Sequence, residues 1–121
     1  MYRLSIEHNI SSAHQLRDYD GPCTRLHGHN WKVKVDVTAT KLNSVGIAID
    51  FLELKKITWQ VVGRFDHNNF NQLAPFDKIN PTAENIAKYF YDEITVLLPV
   101  EIRLNKVEIF ETDEYRVSYG G

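Results

Sequence analysis

Apolar and polar residues alternate along the first part of the chain. Tyr2, Leu4, Ile6, His8 and Ile10 fall on one parity, with Arg3, Ser5, Glu7 and Asn9 between them. A period of two marks a strand with one buried face. If the register persists, Ser12 and His14 continue the inward row. The stretch from Arg17 to Thr24 contains Asp-Tyr-Asp-Gly-Pro and reads as a loop. From His29 to Lys41 the alternation returns, with His29, Trp31, Val33, Val35, Val37 and Ala39 on one face and charged or hydroxylated residues on the other. His27 shares the odd parity, so both histidines carry the core-facing row out to the edge of a strand, where a cavity mouth can lie.

The period then changes. After a turn over Leu42 to Ile49, Asp50-Phe51-Leu52-Glu53 has the form of a capping box, with Asp50 as N-cap. Phe51, Leu54, Ile57 or Thr58, Val61, Val62 and Phe65 follow at helical spacing, with Gly63 near the end. The polar, Asn-rich segment from Phe65 to Pro81 predicts an irregular connection. Thr82 is the expected N-cap of a second helix, whose stripe is Ile86, Ala87, Phe90, Ile94, Leu97 and Leu98 and whose stop is Pro99. Val107, Ile109 and Glu111 share one face of a third strand. Tyr115, Val117 and Tyr119 share one face of a fourth, joined to it by a short turn at Thr112-Asp113-Glu114. The predicted order is β-β-α-α-β-β, an α+β fold with two helices on one face of an antiparallel sheet. Four strands leave two sheet edges, which favours pairing with another subunit.

Composition narrows the class. The 121 residues suit one domain spanning 1–121, with enough apolar content (43 %) to build a core unaided. A formal charge of −2 gives no general reason to expect nucleic acid as a partner. One cysteine cannot form an intramolecular disulfide. The alternating N-terminus lacks the apolar core of a signal peptide, and no stretch reaches transmembrane length. No membrane partner and a cytoplasmic location are the expectation.

The chemistry concentrates around Cys23-Thr24-Arg25-Leu26-His27-Gly28-His29. Histidines at i and i+2 of an extended segment point to the same side and can share one metal ion, with Gly28 leaving room between them. His14 can supply a third imidazole, and three imidazoles with an open position form a common catalytic zinc site. The bland alternative is a set of polar strand ends. His8 has the same parity but sits in mid-strand, where a packed histidine is the better reading. Cys23 is either a small buried hydrophobe or a thiolate usable as base or nucleophile. Asp66-His67 is either a solvated loop pair or a group that tunes Cys23 and shuttles a proton. Glu111, at the end of an apolar row, either reaches water or accepts two parallel N–H bonds from a guanine-like or pterin edge.

Taken together, Ser12-Ala13-His14, Cys-x3-His-Gly-His at Cys23 to His29, Asp66-His67, Pro81-Thr82-Ala83-Glu84-Asn85 and Glu111-Thr112 resemble the 6-pyruvoyl-tetrahydropterin synthase family, in the family's order. The resemblance implies a T-fold (tunnelling fold) in which three subunits join their sheets into a barrel and two trimers stack as a homohexamer. It implies that His14, His27 and His29 bind Zn2+. It further implies that Cys23 is the catalytic thiolate, that Asp66 and His67 complete its proton-transfer triad from a neighbouring subunit, and that Glu111 binds the pterin. The three-residue spacer between Cys23 and His27 is similar to that of the 6-carboxytetrahydropterin synthase branch; pyruvoyl synthases of the animal type look like Cys-x4-His-Gly-His. The implied reaction converts 7,8-dihydroneopterin triphosphate and water to 6-carboxytetrahydropterin, acetaldehyde and triphosphate in queuosine biosynthesis. Its rivals are a pyruvoyl-type triphosphate elimination and a non-catalytic zinc- or pterin-binding module. Arg25 and Lys32 are near enough in sequence to meet the triphosphate.

Overall fold

The computed structural model describes every residue from Met1 to Gly121. Strand β1 (Tyr2–His14) pairs antiparallel with β2 (His27–Ala39) over their whole length, from Tyr2 opposite Ala39 to His14 opposite His27. No bulge interrupts this pair, so the parity read from the sequence holds through to Ser12 and His14, both buried. Strand β4 (Arg103–Phe110) pairs with the other edge of β2, and β5 (Arg116–Gly120) pairs with β4.

The expected irregular connection contains one surprise. Asn68–Asn69 forms a two-residue strand, β3, parallel to β1 at Ser12 and Ala13, which makes the sheet five-stranded and mixed in the order β3-β1-β2-β4-β5. No apolar alternation announces β3. It exists because the chain end of β1 offers unpaired main-chain groups, which must find partners once buried.

Helix α1 (Phe51–Val62) and helix α2 (Ala83–Thr95) cover one face of the sheet. Asp50 caps α1 through its side chain, which accepts from the Leu52 N–H, and Thr82 caps α2 by accepting from the Asn85 N–H. Glu53 does not complete the expected capping box, since its carboxylate takes no main-chain N–H. Between helices and sheet lies one core built from Val33, Val35 and Val37 of β2, Val107 and Ile109 of β4, Leu54 and Val62 of α1, and Ile86, Phe90 and Ile94 of α2.

Two apolar stripes are shorter than expected. Helix α2 ends at Thr95, a turn before Pro99, and leaves Leu97 exposed. Phe51, at the start of α1, is also exposed. It borders a concavity with Tyr2, Leu4 and Ile47 instead of entering the core.

His8 is held in the core as the sequence suggested. The Thr58 hydroxyl already donates to the Leu54 carbonyl (2.9 Å), so at 2.6 Å it accepts from Nε2–H of His8. The ring lies against Trp59, and burial, with Lys55 nearby, lowers its pKa to about 4. His8 is thus a neutral strut between β1 and α1. The opposite face of the sheet carries no helix and presents Arg3, Glu7, Lys32, Lys34, Asp36, Lys106 and Glu108. No helix is long and apolar enough to cross a membrane.

Candidate metal centre and active site

The β1–β2 register puts His14 directly opposite His27, and His29 one pleat further along the same face. The three rings gather at the end of the sheet, with centroids 4.5 to 5.2 Å apart. One nitrogen from each lies within 4.8 Å of the others. Trp31, the next inward residue of β2, forms the floor. Its indole packs edge-on against His14 and His29, and its Nε1–H donates to the Ser12 carbonyl at 3.0 Å. Beneath it, Phe70, Phe65 and Phe76 form an aromatic layer that seals the centre from below.

Main-chain carbonyls set the protonation of two rings. The Pro81 carbonyl can only accept, so at 2.8 Å it takes Nδ1–H of His14 and leaves the Nε2 lone pair free. The Arg25 carbonyl does the same for His27 at 2.7 Å. Nε2 of His14 and Nε2 of His29 are both buried and lack any hydrogen-bond partner. Buried polar atoms without a partner are rare in folded proteins. Two of them, in a set of three imidazoles whose ligand atoms lie this close together, fit a borderline-soft divalent metal such as zinc.

Burial also favours the neutral form of His14 and His29. The His14 pKa is lowered to about 4, first by desolvation, with His27 and His29 adding repulsion against the Pro81 hydrogen bond. His29 is lowered in the same direction by desolvation, partly offset by Glu111, whose Oε2 lies 3.9 Å from Nε2 of His29. Imidazoles that stay unprotonated near neutral pH are ready to ligate.

Glu111 follows the last residue of β4 and brings its carboxylate to the side of this cluster, a choice the sequence had left open between solvent and pocket. Cys23 does not join it. The thiol sits half-buried in a 3-10 turn, Pro22–Thr24, and makes no hydrogen bond to any of the histidines. Asp66 and His67 stand apart too, beside the outer edge of β1. Asp66 Oδ1 accepts the Ser11 N–H at 2.9 Å, and His67 donates its own N–H to the Ser11 carbonyl. His67 adopts a left-handed φ of +56°, unusual for a residue with a Cβ, which throws its imidazole out into solvent. Its Nε2 lies 3.8 Å from Asp66 Oδ1. An open cleft of about 390 Å³ runs between His67 and His29, bounded by Ser11, Ser12, Gly28 and Asn30.

Gly28 is less constrained than its place between two histidines suggested. A Cβ there would lie 3.8 Å from the Ser12 carbonyl oxygen, an ordinary contact. The role of Pro81 was invisible in the sequence because a carbonyl acceptor leaves no side-chain signature. An apolar concavity of about 450 Å³ between Tyr2, Leu4, Ile47 and Phe51 lies near the far end of β1. At strand rise that is roughly 35 Å from the histidines, so it has no part in their chemistry.

Comparison with known proteins agrees with this geometry. The family model for 6-pyruvoyl tetrahydropterin synthase matches residues 3–121. The 6-carboxy-5,6,7,8-tetrahydropterin synthase of Bacillus subtilis is 31% identical, the match covering 99% of this chain and 88% of the relative. The dihydroneopterin monophosphate aldolase of Pyrococcus furiosus is 36% identical, covering 97% and 92%. Among solved structures, Caenorhabditis elegans 6-pyruvoyl tetrahydropterin synthase superposes with a TM-score of 0.85 at 28% identity, covering 100% of this chain and 97% of that one. With its helices on one face of the sheet and its histidines gathered at one end of that sheet, the chain has the T-fold and belongs to the 6-pyruvoyl tetrahydropterin synthase family.

Proposed function

We propose that this protein is a zinc-dependent lyase acting on a pterin triphosphate, and that its reaction is that of a 6-carboxy-5,6,7,8-tetrahydropterin synthase. The substrate would be 7,8-dihydroneopterin triphosphate, and the products 6-carboxytetrahydropterin, acetaldehyde and triphosphate, on the route to queuosine. The observation that carries the reading is the cluster of three imidazoles with two orphaned Nε2 atoms, that of His29 lying 3.9 Å from the Glu111 carboxylate. His14, His27 and His29 would hold the ion. When bound, zinc supplies Lewis-acid polarisation of side-chain oxygens of the substrate, which makes the neighbouring C–H more acidic.

The remaining roles fall to this chain's own groups. Glu111 accepts paired N–H bonds from the pterin edge and fixes the ring beside the histidines. Cys23 Sγ, as thiolate, takes the acidified proton, and Nε2 of His67 returns one to the carbon skeleton. Asp66, held by the Ser11 N–H, orients His67. The Trp31 floor keeps water from below. Cys23 and His67 make no contact with each other within one chain, which supports assembly of the triad from two copies. Strand β5 and the Tyr2–Ile10 stretch of β1 are free edges, as joining sheets into a trimeric barrel requires, and a dimer of trimers is the assembly we favour.

Two other reactions have support of their own. The pyruvoyl-type elimination is supported by the likeness to the nematode synthase. A monophosphate aldolase is supported by the archaeal relative, at 36% identity. Incubating zinc-loaded protein with dihydroneopterin triphosphate separates them. Acetaldehyde and triphosphate released together are the expected result. Triphosphate without acetaldehyde would reassign the reaction to the pyruvoyl type, and turnover of the monophosphate alone to the aldolase type. Pterin binding without turnover would leave a non-catalytic module. A Cys23→Ala variant is expected to keep its zinc and lose at least about 100-fold in turnover.

A further inference from the structure

The chain does not lose strand-like bonding where β1 ends. Gln15, Leu16 and Arg17 keep alternating main-chain hydrogen bonds although no strand lies beside them. On one side, Gln15 N–H donates to Asn71 Oδ1, and Asn71 Nδ2 donates back to the Gln15 carbonyl, both at 2.8 Å. Two residues on, Arg17 N–H donates to Asn80 Oδ1 at 2.8 Å and Asn80 Nδ2 donates to the Arg17 carbonyl at 2.7 Å. On the other side, Leu16 N–H donates to the Cys23 carbonyl at 2.9 Å. A carboxamide carries one acceptor and a pair of donors, so each asparagine stands in for the peptide unit of a missing neighbour strand.

Both asparagines are themselves braced. Asn71 N–H donates to Asn69 Oδ1 at 2.9 Å in the turn after β3. The Asn80 carbonyl accepts from Asn85 Nδ2 at 2.9 Å, tying it to α2. Asn80 also directly precedes Pro81, whose carbonyl takes Nδ1–H of His14. Its side chain therefore grips the chain three residues after His14, while its backbone delivers the acceptor that sets the His14 tautomer. The segment clamped by both asparagines in turn carries the Cys23 backbone through Leu16.

We propose that Asn71 and Asn80 are positioning residues of the centre: acting through the main chain of Gln15–Arg17, they fix the ring of His14 and the place of Cys23 relative to it. The inference rests on the reading of His14 as a metal ligand. It predicts that removing the NH2 donor group from either carboxamide moves the site and not only the stability.

The test uses Asn71→Asp and Asn80→Asp, which keep shape and acceptor but cannot donate to the carbonyls of Gln15 and Arg17. Asn71→Ser and Asn80→Ser serve if the aspartates fail to fold. Ile94→Val, a core change remote from both clasps, is the control for lost stability. Co2+ titration reads affinity, its visible absorption reads ligand geometry, and iodoacetamide reads access to Cys23, the single cysteine, in metal-free protein. The Asn80 variant is expected to bind Co2+ at least about 10-fold more weakly, with an altered spectrum. Both asparagine variants should alkylate at rates changed about threefold or more, while Ile94→Val matches wild type in every readout. Asparagine variants that lose stability but behave like Ile94→Val in Co2+ binding and alkylation would overturn the proposal. If wild-type protein takes up no Co2+, the metal reading fails on its own. Alkylation then decides the clasps: a changed rate supports them and an unchanged rate overturns them.

Discussion

His8 offers the sharpest test of how the fold is held. Its Nε2–H is donated to Thr58, its ring rests on Trp59, and only 5% of its surface is exposed. Desolvation, with Lys55 adding repulsion, brings its pKa from 6.5 down to about 4. Because the folded protein holds this proton more weakly than the unfolded chain, the unfolded chain carries more protons between about pH 4 and 6.5. Stability contributed by neutral His8 is therefore full above that window and is lost as pH falls through it. The slope approaches about 1.4 kcal/mol per pH unit, and the whole window sets a ceiling of about 3 kcal/mol. The ring borders an open cleft beside Lys55, Lys56 and Trp59, where water screens part of the penalty, so about 1.5 kcal/mol is a sounder expectation.

The perturbation is His8→Gln, which keeps an N–H donor for Thr58 and removes the titration. Urea unfolding of metal-free protein at pH 7 and pH 4.5, at one protein concentration, measures the effect. His14 also titrates low and contributes acid sensitivity of its own, but equally in both proteins. The variant should lose about 1.5 kcal/mol less than wild type between the two pH values. An identical loss in both would refute the assignment of His8 as a buried neutral strut.

Three further outcomes follow from the site. Stripping metal with a chelator should lower the melting temperature, and zinc at 100 times its Kd should restore about 2.7 kcal/mol; His14→Ala should abolish that rescue, and a rescue of wild-type size would refute the ligand set. Glu111→Gln should leave metal content unchanged and cut kcat/KM about 10- to 100-fold, the value of a bond to a charged group; unchanged steady-state kinetics would remove Glu111 from the pterin site. Trp31→Phe deletes the donor to the buried Ser12 carbonyl and thins the floor, so denaturation should show a loss of about 1–3 kcal/mol, and a neutral result would show that the bond is replaced.

The sequence alone determined which residues share a face. The period of two through Ile6, His8, Ile10 and on to His14, and through His27, His29 and Trp31, decided that these side chains point inward, because a strand has no other way to place alternate residues. The caps at Asp50 and Thr82 were legible for the same local reason. Cys23, Asp66 and Glu111 were recognisable as an ensemble of motifs, yet nothing local says which of them meet. Only the tertiary structure decided that. Pairing β1 with β2 over thirteen residues set His14 against His27. The Pro81 carbonyl chose the His14 tautomer, and the outer edge of β1 kept Asp66 and His67 away from their own chain's thiol. Contacts between residues more than fifty positions apart, such as His14 with Pro81 and Arg17 with Asn80, depend on how the elements pack. Main-chain acceptors and carboxamides standing in for a strand leave no periodic trace in the sequence.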